Sequence, residues 1–272
     1  MGFRFRITIE FWLFCEIAMT KIPSAGFESS AAALREYDRL IQPARDRFAA
    51  GRGIRGMTSP DTDARTMAAF LLHFSALSVP ITEPVEGWIR RAGDRCTAIG
   101  LPELGKALQT HSKAEAGHQQ YHIDDFASMV SLWNGTRSPA VRAEQITDIG
   151  ITQGGKEYCR IHEDNIRGDQ PYCQLAIEYE IELLPVENGP PFVENCVRLL
   201  GQEILLCMTF VTSHIEFDVG HTKFNAHFLG SLIAQEPNRV APLANSGAAV
   251  LDAFGGHLDE CWDFAQCLAG KE

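Results

Sequence analysis

The most constraining feature of the sequence is the stretch "SHIEFDVGHTKFNAHF", residues 213–228, which follows the largely apolar run "GQEILLCMTFVT". At the helical spacing i, i+4, i+7, His214, Asp218 and His221 share one face. Phe210 lies on the same stripe, which indicates that this face is directed towards the protein core. Buried imidazole and carboxylate groups are costly unless they are paired or bind a metal. The chain must therefore fold so that another element brings partners to this face.

A second group of histidines has the same character. On a helix predicted over residues 102–133, His111, Glu115, His118 and His122 share one face within roughly 60° of arc. Two faces on separate helices, each with imidazole and carboxylate, supply the ligands that suit iron or manganese. The alternative is a core network of hydrogen-bonded histidine and aspartate without a metal.

A third source of carboxylate, needed to bridge two ions, lies in "QLAIEYEIELLPVE". Glu178 and Glu182 are four residues apart and share a helical face, whereas Glu180 faces away. The segment is otherwise apolar, so an inward-facing glutamate is expected. Glu182 is favoured because it ends the apolar run, and Glu178 is its rival. The competing interpretation is that Glu178 and Glu180 are simply solvated.

From about residue 29 onwards the chain has the pattern of successive helices, with no convincing strand pair, and we expect an all-α domain over residues 29–272. Residues 1–28 form an N-terminal extension in which "FRFRITIEF" alternates like a strand. One helix is predicted from about residue 191 to 235, with its inward stripe continuing back to Cys207 and Glu203. Residues 135–169 have weak periodicity and are predicted to form a long loop or lid. Its basic side chains are candidates for neutralising a substrate carboxylate: Arg137, Arg142, Lys156, Arg160 and Arg167.

Composition limits the classes of partner. A formal net charge of −11 argues against a nucleic-acid partner, which requires a basic face. The eight cysteines form no CxxC pair and are interpreted as buried thiols in a reducing, cytoplasmic compartment. The uncharged run between Glu10 and Glu16 is too short to span a membrane. We expect a small-molecule substrate and no membrane partner, and the sequence is compatible with a homodimer.

Three stretches, "EAGHQQYHIDDF", "IELLPV" and "HIEFDVGHTKFN", resemble the heme-oxygenase-like di-iron oxidases and oxygenases, over about residues 29–268. This family is related to thiaminase-like and pyrroloquinoline-quinone-synthase-like enzymes. The resemblance implies a heme-oxygenase-like bundle of about seven helices that contains no heme. It also implies two iron ions, held by Glu115, His118, Glu182, His214, Asp218 and His221. Two positions in this set have rivals: His122 competes with His118, and Glu178 competes with Glu182.

The resemblance further implies an enzyme that activates O2 as a co-substrate. Its expected substrate is a small amine, amino acid or fatty acid, oxidised by N-oxygenation, oxidative C–C cleavage or decarboxylation in a biosynthetic pathway. A manganese–iron centre is an alternative to two irons. The rival functions are a metal-free enzyme of the thiaminase-like or quinone-synthase-like kind, and a metal-binding protein without turnover.

Overall fold

The computed structural model describes residues 24–270, which are helical apart from short turns and contain no strand. The all-α prediction is therefore confirmed, while the predicted N-terminal strand lies outside the described residues. Helix α1 begins at Ser24, so the predicted boundary at residue 28 falls inside it. The helices are α1 Ser24–Ala49, α2 Arg52–Thr58, α3 Ala64–Thr82, α4 Val85–Ala98, α5 Pro102–Glu115, α6 Gln119–Thr136, α7 Ala143–Thr147, α8 Gln153–Arg167, α9 Gln174–Leu200, α10 Thr209–Gln235 and α11 Val240–Ala269.

Helices α9, α10 and α11 form the centre of the bundle. Helix α11 packs on α1, α3, α8 and α9, while α10 packs on α1, α6 and α9. The core between them holds fully buried aromatic side chains, among them Tyr37, Phe70 and Phe192, and each such burial stabilises the fold by about 2 kcal/mol. The stretch Ala64–Ala98 is long and apolar enough to cross a membrane by length and composition, but 72% of its most apolar window is buried within the bundle.

The prediction of a long loop over residues 135–169 is wrong, because this segment contains α7 and α8. Helix α8 begins after Thr152, whose Oγ1 accepts a hydrogen bond from the backbone N–H of Gly155 at 2.9 Å. Its inner face is formed by Tyr158, Ile161 and Ile166, at helical spacing. The outer face is densely charged, so apolar residues are few in this segment although they recur at helical spacing.

Two glycines at the start of α8 gave the sequence its loop-like appearance, and one of them is required by packing. A Cβ on Gly154 would lie 2.3 Å from the backbone nitrogen of His257 on α11. This close approach lets Glu260 accept hydrogen bonds from the N–H groups of Gln153 and Gly154, at 3.0 and 2.7 Å. Glu260 thereby caps the helix from across the interface.

Two predicted helices are divided differently in the structure. The segment predicted as one helix over residues 102–133 breaks after Glu115, where Gly117 adopts a φ of 83°. Helix α9 continues through Pro185 to Leu200, and a second break at Gly201, φ 83°, leads into a 3-10 turn over Gln202–Cys207. The predicted extension of the inward stripe of α10 back to residues 203 and 207 is therefore wrong, because α10 begins only at Thr209.

Candidate metal centre

Helices α5, α9 and α10 bring four side chains to one buried point, which we call the inner group: His111, Glu115, Glu182 and His221. One ligand atom from each lies within 4.8 Å of all the others. Glu182 Oε1 is central, at 2.6 Å from Nε2 of His111 and 3.2 Å from Nδ1 of His221. Glu115 Oε1 lies 3.4 Å from the same nitrogen of His221.

A second cluster, the outer group, consists of Glu115, His118 and His214. Glu115 Oε2 lies 2.9 Å from Nδ1 of His118, which in turn lies 3.0 Å from Nε2 of His214. His118 is placed here by the turn that follows α5 rather than by the helix itself. Glu115 belongs to both groups, with one oxygen facing each.

The residues fit two metal ions that share a carboxylate. Neighbouring ligands of an octahedral ion with bonds of about 2.1 Å lie about 3 Å apart, close to the spacing of these donor atoms. Glu115 Oε1 and Glu182 Oε1 are buried, and among the described residues they face histidine nitrogens that form ion pairs with them but no well-aligned hydrogen bond. Buried carboxylate oxygens normally accept a hydrogen bond. An oxygen without a well-aligned donor has lone pairs that are available to a cation. Mixed imidazole and carboxylate ligands suit iron, manganese and zinc.

The protonation of the inner group is set by mutual pairing. Burial alone would lower the pKa of His221, but Glu182 and Asp218 outweigh it and raise the pKa to about 10. Burial alone would raise the pKa of Glu115, but the facing histidines hold it well below the ordinary value. In the absence of an ion the group thus holds imidazolium–carboxylate pairs. Metal binding must release these protons.

Helix α10 also fixes the orientation of its ligand atoms. The backbone carbonyl of Phe210 accepts a hydrogen bond from Nδ1 of His214 at 2.7 Å, which leaves Nε2 as the lone-pair atom facing the outer group. Burial and the neighbouring His118 lower the pKa of His214 to about 4, so it stays neutral. Asn225 donates from Nδ2 to Oε2 of Glu182 at 2.5 Å and turns the other oxygen towards the inner group.

The structure brings five of the six predicted ligands together, and Asp218 lies beside them. Asp218 is buried with Oδ1 3.4 Å from Nδ1 of His221, but it belongs to neither group. Burial raises its pKa to about 7, with Glu182 adding to the effect and His221 opposing it.

The two rivals named from the sequence lie outside both groups. His122 stacks on Phe210 with ring centroids 3.7 Å apart, because the break at Gly117 turns it away from the face predicted for a continuous helix. Glu178 accepts a short hydrogen bond from Nε2 of Gln174, and burial raises its pKa to about 8. The choice of Glu182 over Glu178 agrees with the geometry.

His111 is a candidate metal ligand that lies outside the ligand set predicted from the sequence. Helical spacing predicts that it shares a face with Glu115, one turn earlier, but the family resemblance assigns it no metal role. It is fully buried, and Glu182 and Glu115 raise its pKa well above the ordinary value although burial opposes this. The available signal was its i, i+4 spacing to Glu115, which places both side chains over the same turn.

No family model matches the sequence, and no curated protein matches it significantly. Two solved structures are similar in fold. A TenA homolog from Pseudomonas syringae pv. tomato str. DC3000 aligns with a TM-score of 0.64 and 15% identity, covering 84% of this chain and 91% of its own. A domain of unknown function with a heme oxygenase-like fold from Shewanella denitrificans OS217 aligns with a TM-score of 0.62 and 14% identity, covering 93% and 97%.

This chain has the heme-oxygenase-like fold. At these identities the likeness shows the fold alone, and it confirms the architecture expected from the sequence. In this protein α5, the turn that follows it, α9 and α10 carry the inner and outer groups.

A cavity of about 140 Å³ opens beside the two groups. Its polar end is formed by Glu115, Glu178, Glu182, His214 and Asp218. Its walls are mainly apolar side chains of the surrounding helices, including Phe48, Ile54, Phe74, Ile81, Phe192 and Phe210. A largely apolar pocket with a few converging polar groups is typical of a small-molecule site.

The basic residues predicted to face a substrate do not line this cavity. Arg160 pairs with Glu157 and Asp164 on the exposed side of α8, and Arg167 pairs with Glu163. Arg137, Arg142 and Lys156 do not line the cavity either. The prediction that they neutralise a substrate carboxylate therefore has no support in the cavity lining. The described lining contains no lysine or arginine.

Proposed function

We propose that this protein is an O2-dependent non-heme di-iron oxidoreductase acting on a small amine, amino acid or fatty acid. The observation that carries the proposal is the position of Glu115, whose two oxygens face two separate groups of histidine and carboxylate ligands. Members of both groups, Glu115, Glu182 and His214, line a largely apolar cavity, where a substrate and O2 would meet.

The ligands would be His111, Glu115, Glu182 and His221 for one ion and Glu115, His118 and His214 for the other. Asp218 lies close enough to join the inner set through a change of side-chain rotamer. When bound, two ferrous ions supply the electrons with which O2 is activated. The outer group offers only three donors, so substrate or O2 has room to approach there.

The remaining contribution of the chain is to hold these groups and to keep water out. Phe210 orients His214 through its carbonyl and lines the cavity. Phe74, Ile81 and Phe192 line a surface that favours the apolar body of a substrate over water. A dry site protects a reactive oxidant from side reactions.

The test is anaerobic loading with Fe(II), followed by metal counting and exposure to O2 with a panel of amines, amino acids and fatty acids. We expect about two irons per chain, as in other two-metal sites, and O2 consumption that depends on one substrate class. The double variant His214→Ala, Asp218→Ala should bind fewer iron ions per chain than the wild type. The matched control is His122→Phe, which changes a buried cavity histidine outside both groups.

Three results would contradict the proposal. The first is a wild-type protein that binds no iron, and the second is iron binding that the double variant leaves unchanged. The third is bound iron with no O2 consumption for any substrate of the panel, which would indicate a metal-binding protein without turnover.

A further inference from the structure

Glu178 is a buried carboxylate in the cavity wall that the proposed metal centre does not use. It is 5% exposed and lies one turn before Glu182 on the same face of α9. Its hydrogen bond among the described residues comes from Nε2 of Gln174 and goes to Oε1. This bond engages only one of the two oxygens, and Glu178 lines the cavity. Buried carboxylates normally face a cation or several donors.

The position of Glu178 is fixed by the residues behind it. Gln174 is fully buried, and its Nε2 also lies 2.8 Å from Nδ1 of His162. His162 in turn stacks on Trp88, with ring centroids 4.1 Å apart. The carboxylate is therefore held by a packed chain of side chains, and Oε2 is the oxygen left for a ligand.

The rest of the cavity limits what that ligand is. Its described lining contains no lysine or arginine, so a ligand carboxylate placed away from the metal centre would be buried without a counter-charge. Phe74, Phe210 and Tyr158 add aromatic rings, whose faces attract cations. The lining as a whole thus favours an apolar body with a positive head.

We propose that the cavity binds a primary amine with an apolar body, and that Glu178 pairs with its ammonium group. The proposal rests on the proposed function, since it selects one substrate class for the same site. Glu178 and Glu182 are i, i+4 on α9, which puts their Cβ atoms about 6 Å apart. The amine nitrogen would therefore lie beside the inner group. A bound ammonium supplies the opposite charge that favours the ionised carboxylate.

The test compares three ligands of matched size on anaerobic Fe(II)-loaded protein, by calorimetry: 2-phenylethylamine, 2-phenylethanol and 3-phenylpropionate. We expect the amine to bind the wild type at least roughly tenfold more tightly than the alcohol or the acid. Glu178→Gln should weaken amine binding by roughly tenfold or more, leave alcohol binding unchanged and retain the wild-type iron content. The matched control is Glu187→Gln, an exposed glutamate on the same helix, which should change none of these values.

Tighter binding of the acid than of the amine would overturn this inference, as would amine binding that Glu178→Gln leaves unchanged. Loss of iron from Glu178→Gln would also overturn it, because Glu178 would then be a ligand. If Glu178→Gln does not fold, the order of the three ligands on the wild type decides the question. If the wild type binds no iron, the proposed function fails, and the same series on metal-free protein still tests the role of Glu178.

Discussion

Glu115 and His118 lie on opposite sides of the break that ends α5, with Oε2 of the carboxylate 2.9 Å from Nδ1 of the ring. The other oxygen of Glu115 faces the inner group. Glu115 projects from the last turn of α5, and the turn at Gly117 brings His118 back towards Glu115 from the start of the next segment. The end of one helix therefore contributes to both the inner and the outer group.

The two residues are expected to differ in their effect on metal content. Glu115→Ala removes a donor from both groups and should abolish the binding of both ions. His118→Ala removes a donor from the outer group alone and should leave about one ion per chain, because the inner group keeps its four donors. Metal counting after anaerobic Fe(II) loading and dialysis measures both. An equal loss of iron from Glu115→Ala and His118→Ala would show that the inner and outer groups do not bind their ions independently.

His111 provides a test of the inner group. His111→Ala should lower the iron content to about one ion per chain, since it removes a donor from the inner group alone and leaves the outer group intact. The comparison is with His122→Phe, whose ring stacks on Phe210 and whose loss should leave the iron content unchanged. If His122→Phe loses iron and His111→Ala does not, the assignment of these two histidines is reversed.

Helical periodicity predicts that the segments of α5, α9 and α10 that carry the candidate site are helical, but it does not predict where these helices begin and end. The i, i+4, i+7 pattern of α10 selected an inward face, and the structure buries His214, Asp218 and His221 as expected. The same argument misjudged His122, because it assumed one continuous helix through Gly117. A glycine at positive φ changes the direction of everything that follows it, and a face computed across it is no longer meaningful.

Other errors arose where tertiary contacts decide the outcome. Glu180 faces away from Glu178 and Glu182 as predicted, and the alternative that it is simply solvated is wrong, because it is 1% exposed and Arg45 reaches it from α1. Helix α8 forms despite Gly154 because α11 approaches its backbone there. In both cases the partner is more than a hundred residues away in the sequence, so no local pattern reveals it.

The pair between Arg45 and Glu180 is expected to matter for stability. Glu180 is almost fully buried and accepts hydrogen bonds from Nε and Nη2 of Arg45, at 2.9 and 2.8 Å, and from the hydroxyl of Tyr37 at 3.0 Å. Arg45→Ala leaves this carboxylate buried without its cation and should lower the free energy of unfolding by about 3 kcal/mol. Urea denaturation measures the loss.

Two further variants separate the buried charge from general packing. Arg39→Ala breaks an exposed pair with Glu36 and should change stability little. The double variant Arg45→Met, Glu180→Gln removes both charges and should recover part of the loss, because no unpaired carboxylate remains. A double variant as unstable as Arg45→Ala would attribute the effect to lost contacts rather than to charge.

His257 on α11 makes stability depend on pH. Its ring is fully buried, with Nδ1 2.8 Å from Oγ1 of Thr152 and Nε2 3.1 Å from Oγ of Ser78. Burial lowers its pKa from 6.5 to about 4. Between these values the unfolded chain takes up a proton that the folded chain refuses, so the free energy of unfolding falls as pH falls. His257 alone should account for about 3 kcal/mol across the whole window.

Urea denaturation of the metal-free wild type and of His257→Gln, between about pH 7 and about pH 5, checks this expectation. The variant lacks the titrating group, so its stability should fall less steeply with decreasing pH, even though it starts lower because the ring contacts are lost. The difference in slope isolates His257 from the histidines of the inner group, whose raised pKa values act in the opposite direction. Parallel curves for the two proteins would show that His257 is already protonated in the folded state or is exposed to solvent.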